Sequence, residues 1–111
     1  MMRYLSLVRV ISQQPLRDFA TTHRDADAPL RAWYKAIKAG THHNLVELKQ
    51  SFGSVDYVPV GKRKFYVFDI GGNKYQLVAA IHFNTQTLFI RFIITHVEYD
   101  RGDRKSEKPN N

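Results

Sequence analysis

Cysteine is absent from the 111-residue chain. Disulfides, thiolate metal sites and cysteine nucleophiles are excluded together, and a reducing cytoplasm is the compartment that fits. No apolar run approaches the roughly 20 residues a membrane helix needs, so no membrane span is expected. Residues 1–11 include an apolar stretch, but Arg3 and Arg9 break it and no small-residue cleavage site follows, so export is not expected. No internal repeat is visible. Acidic side chains are scarce, 10 against 17 Lys and Arg, for a net charge of +7. With a sequence pI near 9.9, that balance favours a polyanionic partner such as nucleic acid. A basic but indifferent surface satisfies the same count.

What is present suffices for a core: 43% of residues are apolar and 13% aromatic, which argues against global disorder. The length fits a single domain over residues 1–111. Its ordered core is expected at about 8–100, with 1–7 as an extension and the basic segment 101–111 (RGDRKSEKPNN) as a flexible tail.

Val8 to Ile11 reads as a short strand. Leu16, Phe19, Ala20 and His23 recur at helical spacing, with Pro15 tolerated near the helix start. A second helix is expected from Asp27, as N-cap, to Ala39, with Gly40 ending it. Its apolar face is Leu30, Trp33, Tyr34 and Ile37, and Arg31, Lys35 and Lys38 fall opposite. A third starts at Asn44, where Glu47 completes a capping-box pattern. Tyr57 to Val60 is a weaker extended segment interrupted by Pro59.

From Lys64 the period changes to 2, giving three strands: KFYVFDI, NKYQLVAAIHF and TLFIRFIITH. Gly71-Gly72 suits a two-residue hairpin turn, with neither the following helix nor the Lys of a phosphate loop. A strand, two or three helices and an antiparallel meander define an α+β fold with the helices on one sheet face. If Ile70 faces Asn73 and Asn84 faces Thr87, then Tyr66, Phe68, Tyr75, Leu77, Ala79, Ile81, Ile90, Phe92 and Ile94 share the core face. The other face collects Lys74, Gln76, His82, Arg91 and Asp69, with Val78 and Ile93.

Arg91, in the middle of an apolar strand, needs a purpose: bidentate phosphate binding, or snorkelling at a sheet rim. Lys74 either contacts an anion or pairs across the hairpin with Asp69. The segment Thr95-His96-Val97-Glu98-Tyr99-Asp100 is dense in proton-transfer groups, and histidine is the side chain that titrates nearest neutral pH. Strict register sets His96 opposite Tyr75 on the core face, so a catalytic role requires the strand to end or bulge near Ile94. His42-His43 is read as a polar connector, since adjacent histidines diverge and no third metal ligand is near.

Phe68-Asp69-Ile70-Gly71-Gly72-Asn73-Lys74-Tyr75, then Leu77-Val78-Ala79, then Ile90-Arg91-Phe92-Ile93 leading to Thr95 through Asp100, resembles the HigB toxins. These belong to type II toxin–antitoxin systems and the wider RelE-like group. The likeness runs from about Val8 to Arg101 and includes Arg9-Val10-Ile11-Ser12 and Leu30-Arg31-Ala32-Trp33-Tyr34. It implies a RelE-like α+β fold, an N-terminal strand and two or three helices packed on one face of an antiparallel sheet. It also implies a metal-independent endoribonuclease with no cofactor, cutting mRNA in the ribosomal A site. The implied partner is a helix-turn-helix, HigA-type antitoxin, and no membrane is involved.

His96, Tyr99 and Asp100 match the family's C-terminal active-site segment, and Lys74 and Arg91 its basic sheet positions. One position departs: the family usually carries Arg where this chain has Gln76, and an amide supplies no charge. On this reading the catalytic group is His96, Tyr99, Arg91 and Lys74, and Lys62, Arg63, Asn73, Gln76 and Asp100 bind substrate. Attack by a 2′-OH on the adjacent phosphate needs such a set: a base, cations for the developing charge, and an acid for the leaving oxygen. The alternative is a degenerate toxin that binds RNA or antitoxin without catalysis.

Overall fold

Amphipathic spacing and strand alternation combine as expected into helices packed on a sheet. The computed structural model describes residues 9–100; the expected extension, Val8 and the expected tail lie outside them. The elements are β1 (Arg9–Ile11), α1 (Gln14–Thr22), a 3-10 turn (Arg24–Ala26), α2 (Asp27–Lys38) and α3 (Leu45–Ser51). They continue with β2 (Asp56–Val60), β3 (Arg63–Ile70), β4 (Tyr75–His82), a second 3-10 turn (Phe83–Thr85), β5 (Thr87–Thr95) and α4 (His96–Asp100).

The sheet has five strands in the order β1-β5-β4-β3-β2. It is mixed rather than wholly antiparallel, because β1 runs parallel to β5, with Val10 opposite Leu88. Parallel neighbours need a long connection, and here most of the chain supplies it. The Pro59 segment is edge strand β2, antiparallel to β3, and an edge is where a residue lacking N–H is tolerated.

Leu30, Trp33 and Ile37 of α2 and Leu48 of α3 close over Tyr66, Phe68, Leu77, Ala79, Leu88 and Ile90. Phe68, 1% exposed, takes Trp33 and Phe52 edge-on, with centroids 5.4 and 5.3 Å away. Burying one such side chain contributes about 1.5–3 kcal/mol.

Asn44 caps α3, its side chain accepting from Glu47 N at 2.9 Å. The return bond goes one residue early, from His43 N to Glu47 Oε1 at 2.8 Å. Asp27 is the first residue of α2 and not its cap; Ala26 holds the cap position without a side-chain bond. The Asp27 carboxylate instead pairs with Arg31 one turn on.

Both hairpins depart from the expected register. Ile70 faces Tyr75, not Asn73, because Gly71 to Lys74 form a four-residue turn closed by Lys74 N to Gly71 O at 3.3 Å. Gly71 and Gly72 there have φ of +64° and +73°, a region L side chains resist. The shift is by two residues, so every side chain keeps its expected face.

The second hairpin pairs His82 with Thr87. Farther along, Ala79 faces Ile90 while Val78 faces Phe92. Arg91 is thus the extra residue of a β-bulge, which reverses the alternation beyond it. Ile93 enters the core, and Phe92 and Ile94, expected there, turn to the outer face. The arginine that looked costly in an apolar strand is exposed.

Candidate active site

The bulge and an early strand end together move His96 out of the core. Thr95 takes the position opposite Tyr75, and the chain turns into α4, with His96 N donating to Lys74 O at 2.9 Å. A capping box makes that turn: Thr95 N donates to Glu98 Oε1 at 2.9 Å and Glu98 N to Thr95 Oγ1 at 3.1 Å. Thr-x-x-Glu at residues 95–98 is a helix-start signal that the strand reading overran.

On a helix, residues at i, i+3 and i+4 share one side. His96 and Asp100 accordingly pair through Nε2 and Oδ2 at 3.1 Å, and Tyr99 lines the same cavity as His96. A carboxylate only accepts, so Nε2 is the donor of this pair, and in the neutral tautomer that makes it the lone pair is on Nδ1. Nδ1 has no hydrogen-bond partner among the described residues.

The cavity beside this ring has a volume of about 300 Å³ and lies at the end of the sheet where β4 begins and β5 finishes. Asn73, Gln76, His96 and Tyr99 meet there as sequence-selected residues. Lys49, Asp56 and Asp69 join them. The sequence does not single out Lys49, because nothing in a short helix marks which sheet end it approaches.

Lys74 and Arg91 do not join this group. The Lys74 ammonium turns to Asp25 in the first 3-10 turn, which also accepts from the Tyr75 hydroxyl; the alternative partner Asp69 bonds Gln76 instead. Arg91 is five residues back along β5, about 16 Å of strand from His96. It lines a second, larger groove of about 610 Å³ with Lys62, Arg63, Lys64, His82 and Asn84, and among the described residues no carboxylate borders it. The two cavities share the outer face: Val67 borders the first and Phe65 the second, two residues and about 7 Å apart on β3.

Asp25 is held below the usual carboxylate range by the Lys74 ammonium first and the Tyr75 hydroxyl second. Lys74 is correspondingly raised by Asp25, and Tyr75 is raised by its bond to the same carboxylate. The contact therefore contributes fully between about pH 5 and pH 9, and weakens as acid protonates Asp25 or as base deprotonates the Lys74 ammonium and ionises the Tyr75 hydroxyl. Thermal unfolding against pH checks this: wild type loses stability on acidification below about pH 5, and Asp25→Asn has a shallower acid limb because it lacks that contribution.

His42 is buried and desolvation lowers its pKa, while His43 bonds Glu47 at 2.9 Å. Among the described residues no three metal-ligating side chains cluster, and no helix is long and apolar enough to cross a membrane.

A five-stranded mixed sheet with helices packed on it is the fold of a RelE-like toxin. The chain matches the model of the HigB toxin family, the RelE-like toxic component of a toxin–antitoxin system, over residues 26–102. The mRNA interferase toxin HigB of Escherichia coli strain K12 is 34% identical over 93 residues, 84% of this chain and 88% of that protein. The mRNA interferase HigB of Escherichia coli O6:H1 (strain CFT073) is 29% identical over 97 residues, 87% and 93% of the two chains. The protein belongs to the HigB toxin family.

Proposed function

We propose that this toxin carries out its endoribonuclease reaction on mRNA in the cavity at the end of the sheet, with His96 as the proton-transfer group. The carrying observation is the His96–Asp100 pair at 3.1 Å, with the His96 side chain lining that cavity and its buried Nδ1 without a hydrogen-bond partner among the described residues. In this assignment Nδ1 takes the 2′-OH proton as the oxygen attacks phosphorus. The P–O5′ bond breaks, and the 5′-oxygen leaves with a proton from Tyr99. The products are a 2′,3′-cyclic phosphate and a 5′-hydroxyl.

Lys49 replaces Lys74 and Arg91 as the ammonium nearest the reacting phosphate. Arg91, Lys62 and Arg63 hold the RNA backbone where it crosses the second groove. The substrate is mRNA in the ribosomal A site, in the cytoplasm, and a helix-turn-helix antitoxin of the HigA type restrains the toxin.

The test is mapping of mRNA ends on translating ribosomes exposed to purified protein. Cuts confined to the A site and ending in cyclic phosphate are expected. Intact mRNA alongside retained antitoxin binding would leave the degenerate-toxin reading standing.

A further inference from the structure

Gln76 is 2% exposed, and both protons of its amide nitrogen are engaged, by Asp69 Oδ1 and Asn73 Oδ1 at 2.9 Å each. Turning the amide over would set Oε1 against the Asp69 carboxylate, acceptor against acceptor, so the charge on Asp69 fixes the orientation. Oε1 is left with no hydrogen-bond partner among the described residues, on a side chain that lines the cavity.

Buried polar atoms are ordinarily satisfied, and one left unpartnered on a side chain that lines a cavity calls for an explanation. An amide oxygen only accepts, so its missing partner must bring an N–H or O–H. Phosphate diester oxygens bring neither. Base amino and imino groups and the ribose 2′-hydroxyl bring one or the other.

We propose that Gln76 Oε1 accepts a hydrogen bond from an N–H or O–H of the nucleotide seated in the cavity, making this position a selector of donor-bearing nucleotides and not a phosphate contact. The proposal rests on the reading that RNA enters this cavity. Asp69 and Asn73 are positioning residues that hold the amide with its oxygen free.

The experiment uses the full chain and ribosomes programmed with synthetic mRNAs carrying one altered nucleotide near the cut. One arm removes a base donor, with inosine for guanosine or purine riboside for adenosine. The other replaces the 2′-hydroxyl by fluorine at positions other than the attacking one. Wild type is expected to lose at least about tenfold in kcat/KM at one position, since a site built around a hydrogen bond rejects the analogue lacking it. The arm that shows the loss identifies the donor. Gln76→Leu is expected to bring the ratio of natural to altered substrate close to one. Gln76→Arg does the same, and its guanidinium can still bond Asp69 should the leucine variant fail to fold.

Unchanged ratios in a folded variant overturn the proposal. Equilibrium binding of the same RNAs by full-length His96→Ala separates the two readings. Discrimination in binding without any cleavage by wild type retires the catalytic assignment and keeps Gln76 as selector. Cleavage by wild type with no discrimination at any position retires the selector alone.

Discussion

His96→Ala is expected to lower single-turnover cleavage by roughly 10²–10⁴-fold, the span a positioned acid–base group contributes. The side chain is 38% exposed and stands outside the core, so the thermal midpoint should move little. Growth arrest on induction and the mRNA ends should disappear together. His96→Gln is the sharper probe, because its amide can keep a hydrogen bond to Asp100 but cannot carry a proton from one oxygen to the other. Cleavage surviving in the glutamine variant would take proton transfer away from this ring, leaving it a positioning residue.

The second large effect is electrostatic. Replacing Lys62, Arg63 and Arg91 together by alanine should weaken RNA binding and flatten its salt dependence by roughly 2 in log–log slope, at about 0.7 per single-strand phosphate released. At 0.1 M salt that corresponds to roughly 100-fold in affinity. Fluorescence anisotropy across a salt series reads both quantities. Charge-retaining Lys62→Arg and Arg63→Lys should leave the slope in place. If the triple variant keeps the wild-type slope, RNA does not cross the groove they line, and the backbone path lies elsewhere on the outer face.

Much of the fold was legible in the sequence, because period and punctuation are local. The faces of β3 and β4 survived a wrong register, since the Gly-Gly turn erred by two residues and two is the strand's own period. Past Arg91 the same arithmetic failed: one unpaired residue is an odd shift, and alternation carries no mark of it. The candidate site divided along that line. Asn73, Gln76, His96 and Tyr99 were brought together. Lys74 left for Asp25, a partner 49 positions away, which no spacing argument reaches. Arg91 and the 62–64 run sorted into a groove of their own.

The unpaired arginine on β5 also sets a rule about chain length. Leu88 and Ile90 lie inward before it and Ile93 lies inward after it, so the strand reaches its last residue one step out of phase with its beginning. The imidazole inherits that phase. Removing a single residue between Ile90 and Thr95 would rotate everything downstream by half a period, exchanging inward and outward neighbours while composition stayed almost the same. Substitution at residue 91 therefore leaves the phase of the strand unchanged, whereas deletion there dismantles the arrangement that turns the His96 ring out of the core.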